Sequence, residues 1–177
     1  HKIQLGMIQH DFPPYPERKD LDIYASLDAA KEVGGDLYDF FLSSGKLWFC
    51  IGDVSGKGVP AALVMAVTRS LFRSEAVHGD SPAVVMKSIN NTLTGMNESE
   101  MFVTTFIGKL DLATGRLDFC NAGHNHPVII GEGGPSEMQV CSNLPLGLIR
   151  DFPFKEERTE LPAESTIFLY TDGLTEA

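Results

Sequence analysis

Three aspartates, Asp36, Asp53 and Asp172, each adjoin a glycine at the start or the end of an apolar run. Carboxylate oxygens, completed by water, are the ligands that Mg²⁺ and Mn²⁺ prefer, and such a site needs no soft ligand. Any one of these pairs by itself is more typical of an ordinary turn, because glycine and aspartate are both common turn residues. The three together predict a hard-cation site.

The segment 50–60 places Asp53 at the end of a strand-like run, and a helix is predicted to begin at Val59. Glycine allows positive φ and a close approach of the backbone to an ion or a phosphate. A phosphate-binding P-loop is excluded, because only three residues separate Gly52 from Gly56 and a glycine replaces the Ser or Thr. The loop either supports an ion site or is a tight turn that Asp53 caps.

The residues on either side of a short turn at 43–46 are predicted to form a hairpin, with strands at 35–42 and 47–53. Antiparallel strands joined by a short turn place the start of the first beside the end of the second. Asp36 and Asp53 are therefore predicted to be neighbours. Two carboxylates that lie close together repel, which implies either a raised pKa or a bound cation.

Two histidines, His124 and His126, stand two positions apart on a segment predicted to be extended. Side chains at this spacing can point the same way and chelate zinc. A polar turn is the favoured interpretation, because no third Cys or His has a spacing that marks it as a ligand.

The order of the predicted elements is typical of an α+β domain with largely antiparallel sheets, because strands dominate both ends of the chain and a helical pair lies between them. The first helix, 59–75, is apolar all round in its first half and is expected to be buried. The second begins at Pro82, and its expected buried face consists of Val85, Ile89, Leu93 and Met96. Further strands are predicted at 21–27, 101–111, 116–121, 127–131, 137–141, 154–160 and 165–171.

Composition excludes several classes of partner. The chain has 177 residues and a net charge of −10, which argues against binding to nucleic acid or to an anionic membrane surface. No apolar run is long enough to predict a membrane-spanning helix. The three cysteines lack CxxC spacing and are expected to be reduced core thiols in a cytoplasmic protein.

The first sixteen residues are expected to lie outside the domain that occupies residues 17–177. Apolar residues in 1–10 are typical of the last turns of a helix, and the prolines in 11–16 are typical of a linker. A helix that enters at the start of the chain implies an upstream sensor or regulatory module.

Five motifs together resemble the metal-dependent protein phosphatases (the PPM, or type 2C, class). Within that class they are most similar to the bacterial branch typified by the stage II sporulation phosphatase and by stress-response phosphatases that control sigma factors. The motifs are Glu-Val-Gly-Gly-Asp at 32–36, Gly-Asp-Val-Ser-Gly-Lys-Gly at 52–58, Phe-Cys-Asn-Ala-Gly-His at 119–124, Leu-Gly-Leu at 146–148 and Tyr-Thr-Asp-Gly-Leu-Thr-Glu at 170–176. The resemblance implies an αββα sandwich of two antiparallel sheets flanked by helices, with two Mn²⁺ or Mg²⁺ ions at the sheet edge.

The resemblance also implies a role for each acidic residue. Asp53 is the carboxylate that bridges the two ions, the main-chain carbonyl of Val54 binds one of them, Asp172 binds the second, and Asp36 binds metal or its water. In this class a water that bridges the ions attacks phosphorus in line, without a covalent protein nucleophile. The arginine with which type 2C enzymes hold the phosphate has no match here, and Lys57 is a candidate substitute.

Members of that class continue past the motif at 170–176 through a helical segment and a strand to a final Asp-bearing motif, whereas this chain stops at Ala177. We therefore expect a C-terminally incomplete domain that binds its second ion weakly. The strand that carries Asp172 is expected to expose an edge that can pair with a second copy in a homodimer.

The resulting functional hypothesis is a Ser/Thr protein phosphatase that acts on phosphoserine or phosphothreonine of a small regulatory protein of the anti-sigma-factor antagonist type. The alternative is a catalytically impaired module of the same fold that binds the phosphoprotein without hydrolysing it. The presence of all three aspartates favours the enzyme.

Overall fold

The computed structural model describes residues 9, 11–27, 34–96 and 101–174. The strands within these residues are β1 (Leu37–Ser43), β2 (Lys46–Val54), β3 (Val103–Asp111), β4 (Arg116–Ala122), β5 (Val128–Gly131), β6 (Gly134–Glu137), β7 (Glu157–Glu160) and β8 (Thr166–Phe168). Two helices, α1 (Val59–His78) and α2 (Pro82–Met96), lie between β2 and β3, and a 3₁₀ turn, Asp172–Leu174, follows β8. Neither of these helices is long and apolar enough to cross a membrane.

The strands form two antiparallel sheets, one of five strands in the order β1-β2-β3-β4-β7 and one of three in the order β6-β5-β8. One face of the larger sheet packs against α1 and α2, and the other packs against the smaller sheet. The predicted α+β class with two antiparallel sheets is therefore confirmed. The described residues supply three layers of the expected αββα sandwich, and the outer helical layer is not among them.

The first core lies between the helices and the larger sheet. Alternate residues of β2, namely Trp48, Cys50 and Val54, face this core, because side chains of a strand point alternately to its two faces. Helix α1 contributes a single face, and its buried residues are Ala61, Met65, Thr68, Phe72 and Ala76.

The expectation that the first half of α1 is buried all round is wrong. Leu63 is 63% exposed and Val59 is 67% exposed, because the sheet covers only one side of the helix within the described residues. In α2, Val85, Ile89 and Leu93 are buried as predicted, whereas Met96 is 61% exposed. Met96 is the last residue of α2, almost one turn beyond the last residue that reaches the core.

The second core lies between the two sheets and is built around a row of aromatic rings. Phe106 stacks on Phe49 with ring centroids 6.1 Å apart and on Phe119 with centroids 5.5 Å apart. Gly108 makes this stack possible, since a Cβ at that position would lie 2.3 Å from the ring of Phe49. Stacked aromatic pairs contribute about 0.5–1.5 kcal/mol beyond the area that they bury.

The strand predicted at 21–27 is not a strand, although its alternating pattern is real. Leu21, Ile23, Ala25 and Leu27 pack against the second core, and the residues that alternate with them are exposed. The segment joins neither sheet, so apolar alternation here reflects packing onto a sheet rather than hydrogen bonding within one.

The expected linker residues Phe12 and Tyr15 also pack against the second core. The predicted N-terminal helix, 1–10, lies outside the described residues except for Gln9, whose carbonyl oxygen accepts a hydrogen bond of 2.7 Å from the Tyr38 hydroxyl. The loop at 28–33 lies outside them as well, and the domain boundary at residue 16 stays a prediction.

The strand predicted at 137–141 is also misplaced, because β6 occupies Gly134–Glu137. A turn of two residues, 132–133, is enough to join β5 to β6, so pairing begins directly after it. Cys141 consequently lies outside any strand and is exposed, whereas Cys50 and Cys120 are buried as expected, and all three thiols are free.

A buried ion pair, which the sequence pattern did not indicate, fixes α1 to the sheet. The Asp39 carboxylate of β1 has a side-chain exposure of 1%, and the Arg73 guanidinium donates a hydrogen bond of 3.0 Å to it. Arg69, one turn earlier on α1, lies 3.4 Å from the same carboxylate. A charge this deeply buried is tolerated only when it is paired.

We expect Asp39→Asn to lower the free energy of unfolding by about 3–5 kcal/mol, since the change leaves Arg69 partly buried without its counter-charge. Urea denaturation followed by circular dichroism at pH 7 measures the loss. The control is Asp111→Asn, whose carboxylate pairs with Lys46 nearer the surface. Equal losses in the two variants would show that burial of Asp39 is not what makes its ion pair important.

Candidate functional site

The ends of four strands meet at one edge of the larger sheet. Leu37 pairs with Gly52, and the next step of that register brings Asp36 opposite Asp53. On the other side of β2, Asp53 pairs with Thr104 at the start of β3. The predicted proximity of Asp36 and Asp53 follows directly from this antiparallel register.

A cleft of about 400 Å³ opens at this edge. Two of the three predicted carboxylates, Asp53 and Asp172, line it together with Val54. Asp172 reaches the cleft from the 3₁₀ turn beyond β8, not from a strand as expected. The remaining lining residues are Ser55, Gly56, Phe102, Thr104, Gly123, His124 and Asn125.

Gly35 lets the start of β1 lie close against the end of β2. A Cβ on Gly35 would lie 2.7 Å from the Val54 carbonyl oxygen and 3.0 Å from a carboxylate oxygen of Asp53. Both of these oxygens are predicted metal ligands. The glycine before Asp36 thus leaves space for the ligand oxygens themselves.

Asp36 lies next to the segment that carries Asp172. Burial raises the pKa of Asp36, a hydrogen bond with the Thr171 side chain opposes this rise, and the charge of Asp172 adds to it. The pKa of Asp36 is raised as expected, but the expected cause, repulsion by Asp53, is not among the causes found. Desolvation is the larger cause, and the repelling neighbour is Asp172.

The donor atoms fit Mg²⁺ or Mn²⁺ rather than a softer metal. The cleft offers the carboxylates of Asp53 and Asp172 and the carbonyl of Val54, and Mg²⁺ commonly binds one or two carboxylates together with water and substrate phosphate. In the described part of the chain no group of three or more His, Cys, Asp or Glu side chains is arranged to hold an ion.

The glycine loop after β2 lines the cleft as far as Gly56 and then leads into α1. Gly56 and Gly58 have φ of +89° and +78°, which is the reason for glycine at these positions. Gly58, not Asp53, is the N-cap of α1, so the interpretation of Asp53 as a cap is wrong. Lys57 is exposed and does not line the cleft, and neither Lys nor Arg is among the lining residues described.

His124 is a buried member of the cleft wall, with 4% exposure. The Asn121 side chain holds its backbone: Oδ1 accepts from the His124 N–H at 3.1 Å and Nδ2 donates to the His124 carbonyl at 2.9 Å. Burial lowers the pKa of His124 to about 4, while the backbone carbonyl of Tyr170 and the charge of Asp172 act in the opposite direction. The ring is therefore neutral at pH 7.

His126 lies apart from His124. It is partly exposed, and its Nδ1 lies 2.9 Å from a carboxylate oxygen of Glu137 on β6. The two rings have different partners, which favours the polar turn over the zinc alternative.

Sequence reasoning did not single out Thr104 or Asn121, although both shape the cleft. Only their positions could have identified them: Thr104 pairs with Asp53 across the sheet, and Asn121 precedes the turn that carries His124. Ser55 was missed as well: its N–H donates to the Phe102 carbonyl oxygen and its side-chain Oγ accepts from the Phe102 N–H, both at 2.8 Å. The pairings of Thr104 and Ser55 cannot be predicted before the register of β3 is known, whereas the contact of Asn121 with His124 is local in the chain.

We expect Gly35→Ala to weaken Mn²⁺ binding, because the added methyl group displaces either the Val54 carbonyl or the Asp53 carboxylate. Overpacking of this kind also lowers the free energy of unfolding by about 1–3 kcal/mol. Calorimetric titration with Mn²⁺ measures the first effect and urea denaturation the second. Gly133→Ala is the control, since nothing lies within 4 Å of a Cβ there. Unchanged Mn²⁺ affinity in Gly35→Ala would contradict the assignment of these oxygens as ligands.

We expect Asp36→Asn to stabilise the metal-free protein at pH 7. Because the pKa of Asp36 in the folded state lies above its unfolded value, ionisation of this group lowers stability as the pH rises through the folded pKa. The neutral amide does not ionise, so the variant should have the higher melting temperature in EDTA at pH 7. The difference in melting temperature between the variant and the unaltered chain should shrink as the pH falls through the folded-state pKa of Asp36. A lower melting temperature for the variant at pH 7 would show that ionisation of Asp36 does not destabilise the folded, metal-free protein.

Several known proteins are similar to this chain in sequence and in fold. The chain is 29% identical over 162 residues to the phosphoserine phosphatase RsbU of Bacillus subtilis. This alignment covers 91% of this chain and 48% of RsbU. The chain therefore spans about half the length of that curated relative.

Two solved structures share the fold. One contains the RsbU and RsbW domains of Rv1364c from Mycobacterium tuberculosis, with a TM-score of 0.74, 29% identity and coverage of 86% of this chain and 42% of that one. The other is the PP2C phosphatase domain of SpoIIE from Bacillus subtilis with a fragment of its regulatory domain. Its TM-score is 0.71 and its identity 26%, and the match covers 81% of this chain and 43% of the SpoIIE chain. Residues 43–177 match the family described as stage II sporulation protein E (SpoIIE). Since this match covers more than half of the chain and the fold is that of PP2C phosphatases, the chain belongs to the SpoIIE family of PP2C-type phosphatases.

Proposed function

We propose that this chain is a metal-dependent Ser/Thr protein phosphatase that hydrolyses phosphoserine or phosphothreonine on a small regulatory protein. The observation that carries the proposal is the convergence of Asp53, Val54 and Asp172 on one cleft at the shared strand ends. Asp36, beside Asp172, completes the acidic group.

Each acidic residue has a distinct part in this proposal. Asp53, at the centre of the edge, would be held in common by two Mn²⁺ or Mg²⁺ ions, and the Val54 carbonyl would be a ligand of one of them. Asp172 would hold the second ion, and Asp36 would hold metal or its water. The chemistry that the bound ions supply is Lewis-acid activation of water and neutralisation of the charge on the phosphoryl group.

The hydroxyl groups of the cleft are engaged in structural contacts, which supports water rather than a side chain as the nucleophile. Ser55 Oγ accepts the Phe102 N–H at 2.8 Å. Thr104 Oγ1 lies 3.2 Å from Nδ1 of His124 and 3.5 Å from the carbonyl oxygen of Asp53. The buried thiols of Cys50 and Cys120 do not line the cleft, and burial raises the pKa of both, which disfavours the reactive thiolate.

The substrate class and the partners are proposed from the relatives. RsbU, the curated relative compared above, is a phosphoserine phosphatase, which supports a phosphoserine substrate here. An anti-sigma-factor antagonist is the proposed phosphoprotein. RsbU is about twice as long as this chain, which supports a sensor or regulatory domain elsewhere in the whole protein.

We expect Asp53→Asn to reduce Mn²⁺-dependent hydrolysis of p-nitrophenyl phosphate and of a phosphoserine peptide to below about a tenth of the unaltered rate, because one neutral amide oxygen cannot bridge two cations. Circular dichroism should show an unchanged fold. EDTA should abolish the activity of the unaltered chain, and Mn²⁺ or Mg²⁺ should restore it.

Asp118→Asn is the control for loss of a carboxylate, since Asp118 pairs with Arg158 on the neighbouring strand β7. Retention of activity in Asp53→Asn at saturating Mn²⁺ would reject the bridging role. If the unaltered chain binds a phosphoserine peptide without hydrolysing it in Mn²⁺, the impaired binding module is the correct alternative.

A further inference from the structure

The imidazole of His124 lies between the two sides of the cleft. Its backbone is fixed by both ends of the Asn121 amide, and Gly123, with φ of +68°, makes the turn that precedes it. Pro145 packs directly against Gly123, where a Cβ would lie 3.0 Å from its ring. The position of the ring is therefore set by the surrounding structure before any ligand binds.

On one side, the ring contacts Thr104 of β3, the strand that pairs with the strand carrying Asp53. Nδ1 lies 3.2 Å from Thr104 Oγ1, and the same hydroxyl lies 3.5 Å from the carbonyl oxygen of Asp53. Thr104 is also the partner of Asp53 in the β2–β3 ladder. The contact thus joins His124 to the backbone of the central aspartate.

On the other side, the ring lies close to the segment that leads to Asp172. The backbone carbonyl of Tyr170 and the charge of Asp172 both act on the imidazole. Tyr170 precedes Asp172 by two residues, and the side chain of Thr171, between them, forms a hydrogen bond with the Asp36 carboxylate. The segment 170–172 therefore reaches both His124 and Asp36.

We propose that His124 is a positioning residue that bridges Thr104 and the segment 170–172 and thereby sets the separation between the Asp53 and Asp172 carboxylates. This inference rests on the proposed function, in which the two carboxylates hold the ions. Residues that hold metal ligands in place commonly change metal affinity by about 10–100-fold when they are altered.

A direct chemical role fits the ring less well. Nε2 is inaccessible to solvent, so a substrate in the cleft cannot reach it. Nδ1 is taken up by Thr104. Imidazole is also a poorer ligand than carboxylate for the hard cations that this cleft suits.

The test compares Mn²⁺ binding and turnover in the unaltered chain, in His124→Leu and in His126→Leu. We expect the Kd for Mn²⁺, measured by calorimetry, to rise by about 10–100-fold in His124→Leu. The kcat at saturating Mn²⁺ should stay near that of the unaltered chain, because excess metal compensates for a displaced ligand. His126→Leu is the matched control, since His126 contacts Glu137 outside the cleft, and both quantities should be unchanged.

Thr104→Val is the second variant, because it removes the hydroxyl that contacts Nδ1 while keeping the shape of the side chain. It should also raise the Kd for Mn²⁺, and it keeps the proposal testable if His124→Leu does not fold. Folding is judged by the melting temperature of each variant in EDTA.

Two results would overturn the positioning role while leaving the proposed function intact. One is an unchanged Kd for Mn²⁺ in folded His124→Leu or Thr104→Val, and the other is a fall in kcat at saturating Mn²⁺ with unchanged affinity. If the unaltered chain neither binds Mn²⁺ nor hydrolyses a phosphoserine peptide, the proposed function fails, and the positioning role fails with it.

Discussion

The register of the antiparallel ladder through β1, β2 and β3 determines where Asp36 and Asp53 lie, whereas Asp172 lies on the 3₁₀ turn beyond β8. Side chains of a strand alternate between faces, so a slip of one residue would turn Asp53 toward the helices and Val54 toward the second sheet. Gly35 and Gly52 protect this register, since a Cβ on either would lie 2.7 Å from a backbone oxygen of the neighbouring strand. The site is therefore a direct consequence of strand pairing.

The acidic edge is held together by parts of the fold that lie away from it. Burial and the charge of Asp172 both disfavour the ionised form of Asp36, so the edge itself opposes folding near neutral pH. The aromatic stack around Phe106 and the buried pairing of Asp39 with Arg69 and Arg73 stabilise the sheet on which the edge is built. Functional sites commonly carry such unfavourable interactions, which the rest of the structure offsets.

The charge distribution of the cleft accounts for the need for cations. Its described lining contains two carboxylates, neutral side chains and no Lys or Arg. A phosphoryl group that entered such a cleft unaided would be repelled, whereas divalent ions on the carboxylates would reverse the sign of the local charge. The neutral imidazole of His124 adds no charge to this arrangement, which is consistent with a structural task at the edge.

The sequence by itself determined the α+β class, the hairpin that brings Asp36 to Asp53, both helices and the SpoIIE-type motifs, because these depend on local patterns and short turns. It could not decide that 21–27 packs on a sheet without joining it, or that α1 leaves Leu63 exposed, because alternation and apolarity do not specify which neighbour is present. Only the tertiary structure gave His124 a buried position in the cleft wall and His126 a contact with Glu137 outside it, and only it brought Thr104 beside Asp53. Those relations depend on contacts between residues that are distant in the chain, which only the register of the assembled sheet fixes.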